Sequence, residues 1–170
     1  MILIALKAYA YRVHDPKWSF APVSGAGAAR MGGRANRPGI NALYLSLELE
    51  TALAEYRHLD TLMPPAVMIS YEVGVEPVVD FRGGYTKKWE PIWQDFYCDW
   101  RRMVFQEKTE PRSWVIGDLV LAAGAKGILY SSAITSGTNL VLYNDALAGS
   151  DFVHVYDPDH ALPRDQSSWR

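Results

Sequence analysis

Gly32-Gly33-Arg34, Tyr44 and Glu55 lie within a short reach of chain and could together handle an anionic, ring-bearing ligand. Paired glycines allow positive φ and let the backbone come close to a ligand. The planar guanidinium after them suits bidentate recognition of phosphate. A tyrosine offers a flat face for stacking and a hydroxyl at its tip, and Glu55 supplies a carboxylate. Each residue also has an ordinary reading: a surface ion pair for Arg34, half-buried core for Tyr44, a solvated position for Glu55. The charge pattern favours a site at Arg34. Residues 1–40 hold Lys7, Arg12, Lys17, Arg30, Arg34 and Arg37 against Asp15 alone, a net +5. That leaves −7 for the rest of a chain of net charge −2. A cluster of this kind fits a local anion site; non-specific nucleic-acid binding would need a broad basic face.

The elements that must position these residues follow from periodicity. Residues 41–47 alternate Leu43, Leu45 and Leu47 against Tyr44 and Ser46, a strand pattern. Leu49, Ala52, Leu53, Tyr56 and Leu59 then fall at helical spacing. At about 100° per residue, Glu55 sits about 60° from Ala52, on the shoulder of the apolar stripe. A carboxylate there can reach a boundary between core and cleft. Residues 8–13 read as a first strand, and residues 22–39 as a long functional loop punctuated by glycine and proline. Strands are expected at 66–73 and 75–81. Trp89, Ile92, Trp93, Phe96, Trp100, Met103 and Val104 trace a long amphipathic helix with Pro91 near its start. A helix over 112–123 ends at Gly124, and short strands follow at 127–131, 139–143 and 152–156. Strands and about three helices without regular βαβ alternation give an α+β class.

Composition bounds the rest. A chain of 170 residues, 49% hydrophobic and 21% charged, is expected to form one domain spanning 1–170. The lone Cys98 excludes an internal disulfide, fits a reducing compartment and reads as packing within the aromatic helix. No segment has the form of a signal peptide or membrane span, so a cytoplasmic location without membrane contact is expected. The stretch from Gly25 to Arg30 lacks the third glycine of a dinucleotide fingerprint. The His154, Asp157, Asp159 and His160 cluster matches no metal spacing and reads as a surface turn.

Two stretches resemble the RES-domain family, the toxin halves of bacterial toxin–antitoxin pairs. The first is GGRANRPGINALYLSLELETALAE, from Gly32 to Glu55; the second is GILYSSAITSGTNLVL, beginning at Gly127. The Arg, Glu and Ser of the family name map onto Arg34, Glu55 and Ser132. Two departures stand out: Ala35 where the family often has Trp, and Ser131-Ser132-Ala133-Ile134 where it often has Pro-Ser-x-Arg.

The resemblance implies a fold similar to ADP-ribosyltransferases, with central, mostly antiparallel strands flanked by helices, and consumption of NAD+ as substrate with no metal. It implies Arg34, Tyr44 and Glu55 as catalytic residues, and Arg12, Gly33, Arg34, Tyr44, Ser132 and Asn139 as NAD+ contacts. Breaking the nicotinamide–ribose bond leaves an oxocarbenium-like centre, as in glycoside cleavage. The ADP-ribose acceptor is expected to be a host protein, for which the aromatic helix offers a docking face; a glycohydrolase or phosphorylase that depletes NAD+ is the alternative. The expected partner is an Xre-type helix-turn-helix antitoxin covering the Arg34 pocket. A non-catalytic ADP-ribose or protein binding module needs only the basic loop and aromatics, and a nucleic-acid-acting toxin fits the acidic remainder least.

Overall fold

The computed structural model describes residues 1–57 and 62–167. Leu59, expected to close the stripe of the Glu55 helix, lies outside them. Six strands and four helical segments make an α+β fold: β1 Leu3–His14, α1 Ala26–Met31, β2 Ala42–Ser46, α2 Leu49–Arg57, β3 Val67–Asp80, α3 Trp100–Arg102, α4 Arg112–Ala122, β4 Gly127–Ser131, β5 Thr138–Tyr143 and β6 Phe152–Val155. The strand order is β1-β2-β5-β4-β3-β6, and β1 also pairs along β3, so five strands close a ring with β6 outside it. Every pairing is antiparallel except β3 with β4.

Period-two alternation splits the side chains of β2, β4 and β5 between two cores. Leu43, Leu45, Leu129, Leu140 and Leu142 pack with Ala10, Ile69, Tyr71 and Val73 of the long strands. The alternate residues Ala42, Ile128, Tyr130, Val141 and Tyr143 pack against Ile116 and Val120 of α4 and the rings of Phe81, Trp89, Trp93 and Phe96. The second face carries the polar residues as well. Tyr11 pairs with Ser46, Ser46 with Asn139, and Asn139 with Tyr130, one row across four strands.

Three sequence expectations change. The strands at 66–73 and 75–81 are one, β3, because Gly74 does not break it: the Phe152 ring of β6 covers the space its side chain would take. The 22–39 loop contains α1, a single short helix that buries none of its residues. The long aromatic helix is absent as such. Residues Pro91–Asp95 form a 3₁₀ turn, the chain opens at 96–99, and α3 restarts under an Asp99 cap before running into a π-helical turn, Met103–Glu107. Trp93 and Phe96 still gather around Phe81, at 4.7 and 5.1 Å between centroids. The opening frees backbone carbonyls that a continuous helix would have used internally.

The Arg34 loop is fixed by α4 and β5. The indole of Trp114 donates to the Gly33 carbonyl at 2.7 Å, and the Tyr143 hydroxyl donates to the Ala35 carbonyl at 2.8 Å. Arg37 makes a forked pair with Asp118 and a second with Glu110. Gly117 completes the seat, since a Cβ there would run into the Ala35 carbonyl oxygen. On the opposite side, the His14 ring meets the Tyr71 hydroxyl at 2.7 Å, and that hydroxyl donates to the Pro22 carbonyl at 2.9 Å, tying the segment before α1 to the sheet.

Two outcomes follow. Alanine in a helix interior is normally favoured over glycine by about 1 kcal/mol, whereas Gly117→Ala is expected to destabilise by about 1–3 kcal/mol, because the obstruction is backbone; a neutral or stabilising result in chemical denaturation would remove this seat from the account. Burial, and after it the Arg12 charge, lower the His14 pKa from 6.5 to about 4, so the folded ring is neutral. The unfolded chain then binds more protons between these values. Stability present above about pH 6.5 is lost as pH falls toward 4, by about 3 kcal/mol in all. Urea unfolding at pH 7.5 and 4.5 should show this loss, with a smaller one in His14→Gln; equal losses would exonerate His14.

Candidate active site

A cleft of about 500 Å³ opens beside the polar row of the sheet. Its walls include Arg12, Gly33, Arg34, Tyr44, Glu55 and Asn139, six of the seven residues singled out in the sequence. Ser132 is not part of the wall; its neighbours Ala133 and Ile134 are.

Glu55 owes its position to α2 and to two donors. α2 is pinned to the β4–β5 connection where Thr51 and Thr135 hydroxyls meet at 2.9 Å and the Glu48 carboxylate accepts from the Thr138 amide at 2.7 Å. From that connection Ser132 Oγ donates to Glu55 Oε1 at 2.9 Å, and Asn139 Nδ2 donates to the same oxygen at 2.5 Å. The Asn139 amide is oriented in turn, because Ser46 Oγ donates to its Oδ1 at 2.8 Å. Ser132 also accepts from the Ile134 and Thr135 amides, which fixes its own hydroxyl. Ser132 is therefore a buried positioning group, and Ser46, which the sequence reading did not single out, belongs with it. Strand alternation could have found Ser46, since it lies two residues from Tyr44 on the same face.

Tyr44 is half-buried, with its hydroxyl enclosed. It accepts from the Ala35 amide at 2.9 Å and donates to Asn36 Oδ1 at 2.7 Å. Burial drives its pKa far above the ordinary tyrosine value. The hydroxyl is thus a structural proton donor at any physiological pH, and only the ring face remains for a ligand. Gly33 is required beside it, because a Cβ there would collide with the Tyr44 hydroxyl and sit 2.6 Å from Asn36 Oδ1.

The cations differ in what they already hold. Arg34 Nη1 donates to the carbonyls of Phe96 at 3.2 Å and Cys98 at 3.3 Å within the helix opening, the second shared with the Trp100 amide, and its guanidinium lies 5.6 Å from the Tyr97 ring centroid. Arg12 is enclosed, and its Nη1 is a buried donor with no hydrogen-bond partner among the described residues. An unpaired buried donor is costly, and an anionic ligand would satisfy it. Burial lowers the Arg12 pKa.

Arg101, Tyr11, Tyr56, Trp100 and Tyr130 complete much of the wall and were not anticipated. No pattern pointed to Arg101, because a continuous helix was expected through it. Cys98 sits beside α4, its thiol 3.5 Å from Ser113 Oγ. Among the described residues no group of three or more His, Cys, Asp or Glu could hold a metal ion, and no helix is long and apolar enough to cross a membrane.

Comparison with known proteins bears on this arrangement. No curated protein matches the sequence. In structure the chain is similar to a chain of the crystal structure of the M. tuberculosis MbcT–MbcA toxin–antitoxin complex, with a TM-score of 0.64 and 18% identity, over 91% of this chain and 84% of that one; at this identity the likeness concerns the fold. The RES domain family matches residues 9–165, which takes in every strand residue of the cleft and the whole of α2 and α4, and on that extent the chain belongs to the RES domain family.

Proposed function

We propose that this chain is an NAD+-consuming enzyme, the toxin half of a toxin–antitoxin pair, and that it breaks the nicotinamide–ribose bond at Glu55. The carrying observation is an anchored carboxylate in the same cleft as an arginine whose buried Nη1 has no hydrogen-bond partner among the described residues. NAD+ presents the complement: a pyrophosphate for the guanidinium and a ribosyl centre that gains positive character as the bond breaks.

In this reading Arg12 takes pyrophosphate oxygen, satisfying its Nη1, while Arg34 contributes charge from a position held by the Phe96 and Cys98 carbonyls. The Tyr44 ring face stacks on nicotinamide or its ribose. The C1′–N bond breaks heterolytically, and its electron pair leaves with neutral nicotinamide. Glu55 stabilises the oxocarbenium-like carbon through space, a use of fixed charge that needs no reorganisation at the moment of reaction. Its orientation by Ser132 and Asn139 makes it a prepositioned group. The acceptor oxygen or nitrogen then bonds to C1′ and gives up a proton, for which Glu55 is the nearby base.

Transfer of ADP-ribose to a host protein is the acceptor reading taken from the sequence, but Trp89, Trp93 and Phe96 are core residues and lend it no docking face. An adenylate-labelled NAD+ separates the outcomes: label on protein indicates transfer, and free ADP-ribose or its phosphorylated form indicates a small-molecule acceptor. The proposed partner is an Xre-type helix-turn-helix antitoxin that covers the cleft, in keeping with the toxin–antitoxin complex to which this fold is similar.

Purified protein incubated with NAD+ should release nicotinamide. Glu55→Gln keeps both donors of Oε1 satisfied and should fold normally, yet lose about 10²-fold or more in rate. No release from the wild type, or equal release from the variant, sinks the proposal.

A further inference from the structure

Arg101 stands at the cleft with no assigned task. It extends from α3, a helix of three residues that packs mostly on its own π turn. Trp100 is buried and anchors that turn, and the Arg101 guanidinium lies over its ring, 4.6 Å from the centroid. The next residue points to a different use, since Arg102 pairs with Glu107 at 2.8 Å. Arg101 makes no ion pair or hydrogen bond among the described residues. It lies within electrostatic range of Arg34, Glu55, Asp99 and Tyr44; partial burial, and next the Arg34 charge, lower its pKa, against the pull of Glu55 and Asp99.

Arg34 and Arg101 thus line the cleft with Glu55 and Arg12, and the Arg34 charge is felt at Arg101. Like charges held close in a partly desolvated cleft are a strained arrangement that a bound anion relieves. The charged residues of the wall are Arg12, Arg34, Arg101 and Glu55, a net +2, equal and opposite to a pyrophosphate. Arg34 has committed Nη1 to two carbonyls, so only its Nε–Nη2 edge remains for a ligand and a second phosphate needs another donor.

We infer that Arg101 is a substrate-binding residue, the guanidinium that takes the second phosphate of a pyrophosphate-bridged dinucleotide. Arg34 is then the joint that holds the Arg101 segment in place, through the carbonyls of Phe96 and Cys98 just before the α3 cap. The inference rests on the NAD+ reading and makes it more specific, because it assigns the second phosphate to a residue other than Arg12 and outside the Arg34–Glu55 stretch.

ADP-ribose binding followed by calorimetry tests it without turnover. Arg101→Ala should weaken ADP-ribose by about tenfold to a hundredfold, the usual range for a lost hydrogen bond to a charged group. Arg101→Lys, which keeps the charge but not the fork, should recover part of the loss, and Arg102→Ala should bind as the wild type does. In turnover, Arg101→Ala should raise KM for NAD+ by more than it lowers kcat. Binding by Arg101→Ala within twofold of wild type overturns the inference, as does an equal loss in Arg102→Ala or a turnover defect confined to kcat. If the wild type binds ADP-ribose but releases no nicotinamide, the catalytic reading fails and Arg101 is judged on binding alone. A wild type that does not bind ADP-ribose overturns both.

Discussion

A loop that carries an arginine into a partly buried cleft can exist only if its own backbone polar groups find partners. Nearly everything around the 32–40 loop answers that requirement. Tyr44 takes the Ala35 amide, Tyr143 gives to the Ala35 carbonyl, Trp114 gives to the Gly33 carbonyl, and the Asn36 amide gives to the carbonyls of Ala28, Arg37 and Ile40. These partners come from α1, β2, β5, α4 and the loop itself, so the loop cannot shift without breaking contacts in several elements. Rigidity of this kind is what a site needs if its charges are to be in place before the ligand arrives.

The same economy of polar groups divides the residues into those that hold and those that act. Tyr44 and Ser132 look like reactive side chains in a sequence, yet both hydroxyls are engaged in fixing other groups. Asn139 is a relay, oriented by Ser46 and presented to Glu55. Among the described residues, two buried side-chain atoms lack a hydrogen-bond partner, Asn144 Oδ1 away from the cleft wall and Arg12 Nη1 at it. A structure tolerates a buried unpaired donor where a ligand will pair it, and polar satisfaction is therefore a better guide here than residue type.

Much of this was legible in the sequence where one short-range rule governed. Alternation over 41–47 placed Tyr44 on the face opposite the leucines, helical rotation placed Glu55 at the edge of the apolar stripe, and the strand at 127–131 has the expected bounds. Period alone could not bring Ser132 to Glu55, because that contact spans 77 positions and depends on how the β4–β5 connection packs on α2; the family resemblance pointed to Ser132 as an NAD+ contact and not to its bond with Glu55. The aromatic segment went wrong for an instructive reason. Its apolar spacing fits a helix throughout, and the Asp99 cap that restarts the chain looks like one more polar residue on an exposed face. What breaks the helix is tertiary: the rings pack around Phe81 while Arg34 takes the freed carbonyls.

That break also explains why the cation beside Glu55 could not be read from the chain. In an unbroken helix Arg101 would be one of two adjacent arginines on a solvated surface, equivalent to Arg102. With the helix opened at 96–99 and restarted, the two part: Arg102 pairs with Glu107 within the π turn, and Arg101 lies over Trp100 at the cleft wall. Arg34 is part of the cause, since its bonds to Phe96 and Cys98 compete with the helical hydrogen bonds that would have kept the segment regular. The arginine that stands out in the sequence thus shapes the backbone that presents a second at the wall of the same cleft.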